Sequence, residues 1–353
     1  MPGSSMSVSS DTPILRAIAY GRLAPNPHNT QAWKIVPSSD TKFSLLVDER
    51  RLLLATDPAA RQIHIGAGCF LETLAVGMSR HGYRAEVDYL PQGAHGLEEV
   101  GRKPVAHIAL RATGTAPDEL ADAIDLRQTN RKPFTGPFIN SAEADRLKNV
   151  NSQDDVEVSV VREPALMRPL LDVFDRALQI EINTRHTYEE TRQWFRFSER
   201  ERRARRDGLS VRQLGIDGLR ARLTEWILHD GDPKRWFSKL SRSATLKDMR
   251  RGIYSARGFV LLKTATNDQL TWLIAGRTFA RVHLALTQLG LTCHPYSQVL
   301  QEFPEMSILQ AEFNQLLGVQ PPAKIQMAVR VGRAARAYRA PRRDPRDFLH
   351  ESR

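Results

Sequence analysis

Two amides and an indole stand close together near the N-terminus, at Asn29, Gln31 and Trp33. Two prolines just before them, Pro25 and Pro27, prevent the preceding helix from continuing, so the segment forms a stiff loop. Side chains of these types within five residues are suited to binding a flat, polar heterocycle. The alternative is a capped turn whose tryptophan packs in the core, and composition favours the two interpretations equally.

A second group of polar side chains lies further along the chain, between residues 127 and 131. Arg127, Thr129 and Arg131 alternate along a segment that we expect to be extended. Alternate side chains of an extended segment lie on one side, so the three could bind one anion. The competing interpretation is an exposed basic turn. A second basic pair, Arg342 and Arg343, follows the last apolar run.

The stretch Ala24-Pro25-Asn26-Pro27-His28-Asn29-Thr30-Gln31-Ala32-Trp33 resembles the flavin-contacting loop of the nitroreductase superfamily of FMN enzymes. Asn26 stands where a serine is usual, and Ala32 where a proline is usual. The Arg127 segment resembles the "R-x-S-x-R/K" opening of the same enzymes, with Thr129 in place of serine. The resemblance covers most of the chain and is closest to the tandem-domain, Acg-like branch known from mycobacteria.

This resemblance implies a set of FMN-binding residues. Arg127 and Thr129 would hold the phosphate, and Arg131 would lie near flavin N1 and O2, where a cation raises the reduction potential. In the loop, the implied contacts are Pro27, His28, Asn29 and Gln31. Near the C-terminus, Arg342 and Arg343 would close over the phosphate. Pro295, Tyr296 and Ser297 resemble the loop that presents backbone N–H groups near N5 and O4, although Ser297-Gln298 replaces the common glutamate-glycine pair.

The implied activity is hydride transfer from NAD(P)H to flavin N5 and then to a nitro or quinone-like small-molecule acceptor. No protein nucleophile and no metal are needed, so we expect His28, His64 and His294 to be structural. The long charged segment 165–251 complicates this expectation, because a comparable segment covers the flavin in the Acg-like branch. A closed lid would make the protein a non-catalytic FMN-binding or storage protein.

Periodicity predicts the elements that position these residues. Helices are expected at 14–23, 57–82, 118–126, 142–147 and 269–289, and strands at 34–36, 43–47, 85–90, 105–110, 156–161, 258–263 and 325–331. Gly68 precedes Gly82 by the same interval as Gly276 precedes Gly290, a faint internal repeat. We therefore expect an α+β, nitroreductase-like fold of two tandem pseudo-symmetric units, 13–114 and 115–353, with a helical insertion at 165–251 and a disordered start at 1–12.

Composition limits the classes of partner. The net charge of +11 invites a nucleic-acid interpretation, but acidic residues are interspersed in the basic stretch 192–251 and no RNA-type aromatic motif accompanies it. We expect neither a nucleic-acid nor a membrane partner.

Cys69 and Cys293 lack metal-ligand spacing, which favours a reducing cytoplasm. A fused chain would be a monomeric pseudo-dimer with one complete FMN site, and further self-association is left open.

Overall fold

The computed structural model describes residues 12–150, 155–228 and 231–351. Most of the predicted disordered start, 1–11, lies outside the described residues. The first half forms a four-stranded antiparallel sheet in the order β1-β2-β4-β3. Its elements are α1 (Pro13–Gly21), β1 (Trp33–Pro37), β2 (Lys42–Val47), α2 (Arg61–Ser79), β3 (Tyr83–Tyr89) and β4 (Ala106–Ala112).

The second half forms another four-stranded antiparallel sheet, in the order β5-β6-β8-β7. Its elements are α3 (Ser141–Lys148), β5 (Val156–Val161), β6 (Phe259–Thr264), α10 (Gln269–Gln288), β7 (Thr292–Pro295), α11 (Ser307–Leu316) and β8 (Lys324–Gly332). Between β5 and β6 the described part of the insertion forms six helices. They are α4 (Pro164–Asn183), α5 (Arg185–Gln193), α6 (Glu199–Arg205), α7 (Gly218–Ile227), α8 (Pro233–Trp236) and α9 (Lys239–Ile253).

The two halves repeat one arrangement. In each, two strands precede a long helix, two strands follow it, and the fourth strand lies between the second and the third. The long helices α2 and α10 pack on each other at Gly68 and Gly276, the glycines of the predicted repeat. The α+β class with two tandem pseudo-symmetric units is therefore confirmed.

One apolar cluster joins both sheets to the α2–α10 pair. A second cluster lies between the insertion and the second sheet, where Phe174 of α4 packs against Phe259 of β6 with ring centroids 5.1 Å apart. The insertion therefore has a core of its own against the sheet. None of the helices in the described part of the chain is long and apolar enough to cross a membrane.

One predicted helix is absent, and the start of another was predicted too early. Between 118 and 126 the structure has only a short 3-10 turn, Ala121–Ala123, because the Asp118 carboxylate accepts a hydrogen bond from Leu120 N (2.9 Å), which favours a turn. Helix α2 begins at Arg61, not directly after Asp57, although the buried Asp57 carboxyl still accepts from the first-turn amides of Gln62 and Ile63.

Candidate functional site

A cavity of about 660 Å³ lies between the loop before β1, helix α2, the end of β7 and the insertion. Six of the residues predicted to bind a cofactor line it: Pro27, His28, Thr129, Arg131, Pro295 and Ser297. The structure thus brings together the loop before β1, the 127–131 segment and the end of β7, which are far apart in the sequence. A cavity of this size accommodates a drug-sized or cofactor-sized ligand.

A smaller cavity of about 80 Å³ adjoins the first, since Asn26, Thr129 and Arg131 line both. Four arginines line this smaller cavity: Arg127, Arg131, Arg339 and Arg342. The combined space therefore has a large compartment at one end and a cationic compartment at the other.

The backbone next to β7 positions the arginines of the 127–131 segment. Thr129 forms an isolated parallel bridge with Cys293, and Asn130 N donates a hydrogen bond to the Cys293 carbonyl oxygen (2.9 Å). Arg127 and Arg131, two residues to either side of Thr129, both line the smaller cavity, as alternation along an extended segment requires.

The half-buried guanidinium groups are held by neutral acceptors. Arg127 Nη2 donates to Leu23 O (2.7 Å), Arg131 Nη1 donates to Gln213 O (3.2 Å), and Arg342 Nη1 donates to Asn29 Oδ1 (2.6 Å). Within the described residues, no carboxylate forms an ion pair with these three groups.

Desolvation is the main reason why the pKa values of these arginines fall. It lowers the pKa of Arg127 and Arg131 to about 10 each and that of Arg342 to about 9, where neighbouring arginines add to the effect. Charged groups that are removed from water without a counter-ion are costly, and a bidentate phosphate or carboxylate is the partner that a guanidinium prefers. This arrangement is suited to binding an anion.

Three residues that line the larger cavity carry polar atoms without a hydrogen-bond partner. Within the described part of the chain, His28 Nδ1, His294 Nδ1 and Gln298 Oε1 are buried and unpaired. Burial, with Arg131 nearby, lowers the pKa of His28 to about 4, and burial lowers the pKa of His294 well below its ordinary value, so both rings are neutral at pH 7. Buried polar atoms of this kind indicate a missing partner that carries donors and acceptors.

The loop that carries His28 is strained. His28, Asn29 and Gln31 all have positive φ angles, of 47°, 54° and 51°, and each non-glycine residue in that region costs about 1–3 kcal/mol. Gln31 N donates to the Asn26 side chain (2.9 Å), which stabilises this backbone conformation. Strain of this kind is typical of functional sites.

The structure does not place the two amides of this loop as expected. Asn29 Nδ2 donates to the carbonyl oxygens of Gly208 and Pro341 (3.2 Å each), so this side chain contacts only the smaller cavity. Gln31 lines neither cavity, because its Nε2 donates to Arg206 O (2.9 Å) and its Oε1 accepts from Arg343 N (2.9 Å). The two amides attach the loop to the insertion and to the C-terminal segment.

Three other side chains belong to the core or to the C-terminal segment. Tyr296 is buried and stacks on Phe174, with ring centroids 5.2 Å apart. Arg343 lies over the Phe348 ring at 4.5 Å, and neither Tyr296 nor Arg343 lines a cavity. Trp33 is buried against Phe70 at 4.9 Å, so the core interpretation of this indole was correct.

The insertion forms one wall of the larger cavity. Its contributing side chains include Leu178, Glu181, Tyr188, Phe195, Leu209 and Trp236. Glu181 is buried and accepts a hydrogen bond from Gln301 Nε2 (2.9 Å), and burial raises the pKa of its carboxyl. The insertion therefore encloses one side of the site.

Sequence reasoning missed Arg339 in the smaller cavity and Gln298 in the larger one. Arg339 and Arg342 lie three residues apart in a basic segment, and this spacing could have identified Arg339. Gln298 belonged to the loop that resembles the N5-contacting loop, but it was not among the predicted binding residues. Nothing in the sequence indicated that Glu181 would lie at this site.

Comparison with known proteins identifies relatives by sequence. The chain is 29% identical over 166 residues to Acg of Mycobacterium tuberculosis, provisionally named an NAD(P)H nitroreductase; the match spans 45% of this chain and 46% of that protein, about half of its length. It is 20% identical over 293 residues to PigM of Serratia sp., also provisionally named an NAD(P)H nitroreductase, covering 82% of this chain and 80% of PigM. The resemblance to the nitroreductase superfamily and to Acg is thereby confirmed. No protein-family model matches the chain.

Among solved structures, one similar chain is NfnB from Sphigopyxis sp. strain HMH, described as an FMN- and NADPH-dependent nitroreductase. It is 14% identical, with a TM-score of 0.41 over 67% of this chain and 99% of that one. Another is an iodotyrosine deiodinase bound to FMN and 3-iodo-L-tyrosine, 18% identical, with a TM-score of 0.36 over 64% of this chain and 94% of that one.

Proposed function

We propose that this protein is an FMN-binding oxidoreductase of the nitroreductase type, which reduces nitro or quinone-like acceptors with NAD(P)H. The observation that carries the proposal is the group of arginines without carboxylate partners at the end of a large cavity. FMN has a single anionic group, its phosphate, joined to a flat ring system through a ribityl chain, which matches a cationic compartment joined to a larger one. The names of Acg and PigM agree with this activity.

The residues present fit such a ligand. Arg127, Thr129 and Arg342 would hold the phosphate, and Arg339 would stand at the entrance of the smaller cavity, where it is exposed. Arg131 lines both cavities and would lie between the phosphate and the ring system. The unpaired atoms of His294 and Gln298 would find partners on the polar edge of the ring.

When bound, FMN would supply the redox chemistry, accepting a hydride from NAD(P)H and passing electrons to the acceptor. The protein's own residues would bind FMN, orient its ring system and tune its reduction potential. Arg131 would stabilise negative charge on the pyrimidine edge of the ring, and neutral His28 would offer a hydrogen bond without adding a second positive charge. The apolar side chains of the insertion would exclude water.

We further propose that units 13–114 and 115–353 together build one site per chain, as a monomeric pseudo-dimer. Cys69, one residue after Gly68, lines the larger cavity. The equivalent residue after Gly276 is Arg277, which forms an ion pair with Glu72 (2.6 Å) and donates to the Tyr89 hydroxyl at the end of β3. We infer that these side chains fill the region that the repeat relates to the cavity.

A second function, FMN binding or storage without turnover, is favoured by the wall that the insertion forms. Side chains from α4, α5 and α8 line the same cavity that a nicotinamide or an acceptor would have to enter. A wall that stayed in place over the flavin would block hydride transfer, whereas a wall that moved would act as a gate.

The test is the visible absorption spectrum of the full-length protein after loading with FMN, followed by anaerobic addition of NADPH and then of a quinone. Bleaching of the flavin band within seconds, reversed by the acceptor, supports the oxidoreductase. A bound band that persists supports the storage function. Failure to bind FMN at all contradicts both.

A further inference from the structure

Helix α7, in the insertion, has an apolar face that is exposed to solvent. Leu219, Leu223, Trp226 and Ile227 have the spacing i, i+4, i+7 and i+8, so they lie on one side of the helix. Their exposed fractions are 82, 58, 70 and 46%. Leu240 at the start of α9 is 82% exposed and lines the same cavity as Ile227. We call these five residues the α7 stripe.

Exposed cations flank the α7 stripe. Three of them, Arg222, Lys234 and Lys239, form no ion pair with any described residue. Arg220 and Arg235 lie beside them and pair with Asp248 and Asp232.

The other carboxylates that the structure describes in this region, Asp217 and Glu225, are engaged elsewhere. Asp217 pairs with Lys132 (2.6 Å) and Glu225 pairs with Arg202 (2.8 Å). Among the described residues around the α7 stripe, positive charges therefore outnumber negative ones.

The α7 stripe lies at the mouth of the large cavity. Arg220, Ile227, Lys234 and Leu240 all line the cavity, and all four are exposed to solvent. Residues that satisfy both conditions mark where the cavity opens. The apolar surface thus adjoins the entrance to the site, because Ile227 and Leu240 belong to both.

We propose that the α7 stripe and its flanking cations form a peripheral docking surface for an anionic phospholipid bilayer. An exposed helix face of leucine and tryptophan with lysine and arginine at its sides is the pattern that inserts at the level of the lipid headgroups. The basic flanks contribute attraction to anionic lipid. Because no described helix can cross a bilayer, the contact is peripheral, and it departs from the expectation of no membrane partner.

Charge argues against two other occupants. A second copy of this chain would bring an identical set of cations against the first across a twofold axis, which is unfavourable. A nucleic acid would pair with the cations but would leave the leucines and the tryptophan without an apolar partner. An anionic bilayer would pair with the cations and would also bury the leucines and the tryptophan.

Docking in this orientation would turn the mouth of the cavity toward the lipid. A quinone dissolved in the bilayer would then reach the site without crossing water. This consequence rests on the proposed oxidoreductase function, whereas the docking itself does not.

The experiment is co-sedimentation of the full-length protein with vesicles of phosphatidylglycerol and phosphatidylcholine, compared with phosphatidylcholine alone. We expect binding only to the anionic vesicles, weakened by raised salt. The double variants Leu219→Ser/Trp226→Ser and Arg222→Glu/Lys234→Glu should each reduce the bound fraction at least tenfold. Matched controls are Ile308→Ser, an 81% exposed apolar residue on α11, and Arg102→Glu, an exposed arginine distant in sequence; both should bind like the wild type.

Penetration of helix α7 into the bilayer would have a fluorescence signature of its own. Trp226 emission should shift to shorter wavelength on anionic vesicles, and Trp226→Phe should lose that shift while it keeps most of the binding. Absence of sedimentation, or equal loss in the control variants, contradicts the proposal. Self-association that Leu219→Ser/Trp226→Ser abolishes would assign the α7 stripe to a second copy and also overturn it. Binding of FMN, measured on the same samples, reports separately on the proposed function.

Discussion

Gly68 of α2 and Gly276 of α10 face each other where the two central helices touch. A Cβ atom on Gly68 would lie 2.0 Å from the Leu273 carbonyl oxygen, and one on Gly276 would lie 2.0 Å from the Ile65 carbonyl oxygen. Real Cβ atoms do not approach oxygen this closely, so both positions exclude a side chain. The contact joins the two halves of the fold and fixes the position of Ile65, which lines the large cavity.

Gly68→Ala should therefore destabilise the protein. The added methyl group meets helix backbone, which cannot rotate away, and overpacking of this kind costs about 1–3 kcal/mol or more, well above the small gain in helix propensity. The free energy of unfolding in urea measures the effect. Gly114→Ala is the matched control, because a Cβ there meets nothing within 4 Å; equal stability of the two variants would contradict the close approach.

Arg342→Gln should weaken FMN binding more than riboflavin binding, since riboflavin lacks the phosphate that this arginine would contact. Loss of one charge-assisted hydrogen bond corresponds to about 1.5–3 kcal/mol, or roughly 10- to 150-fold in affinity. Flavin fluorescence titration measures both ligands.

Arg343→Gln is the control for this variant, because Arg343 lines neither cavity. It should leave the preference for FMN over riboflavin unchanged. An equal loss of both ligands in Arg342→Gln would argue against a phosphate site there.

Arg131→Gln should make the reduction potential of bound FMN more negative. Removal of a cation from the pyrimidine edge disfavours the anionic reduced ring. Potentiometric titration of the FMN-loaded protein measures the change, and Arg127→Gln, at the phosphate end, should shift the potential less. The assignment of Arg131 fails if its variant keeps the wild-type potential.

Heat-released flavin should amount to one FMN per chain. Arg127, Arg131 and Arg342 line the cationic compartment. We infer that the Arg277–Glu72 ion pair fills the region that the repeat makes its counterpart. Fluorescence of the released flavin against protein concentration gives the ratio. A value of two would show that the second region also binds FMN.

Stability should fall as the pH drops from about 6.5 to about 4, in part because of His64. This side chain is 1% exposed, and burial lowers its pKa to about 4. Between these two values the unfolded chain binds a proton and the folded chain does not, so acid favours unfolding, by about 1.4 kcal/mol per pH unit for one such group.

His64→Gln should flatten this dependence in thermal unfolding measured from pH 7 to pH 4.5. His186→Gln, at an exposed position, is the control and should retain it. Identical pH profiles for wild type and His64→Gln would show that His64 is not kept neutral by the fold.

The sequence by itself determined the elements and part of the site. Periodicity and terminal glycines predicted the long helices and most of the strands, since these signals depend on neighbours within a few residues. Alternation also predicted that Arg127, Thr129 and Arg131 would act together, and all three line the smaller cavity.

Only the tertiary structure decided which polar side chains remain available to a ligand. Asn29 and Gln31 carry the right amides, but Gly208, Arg206 and the C-terminal segment satisfy them, and these partners lie more than 170 residues away. Arg339 and Glu181 enter the site for the same reason, because long-range packing places them there. Hydrogen-bond partners and burial are set by contacts between distant segments, which local sequence patterns do not encode.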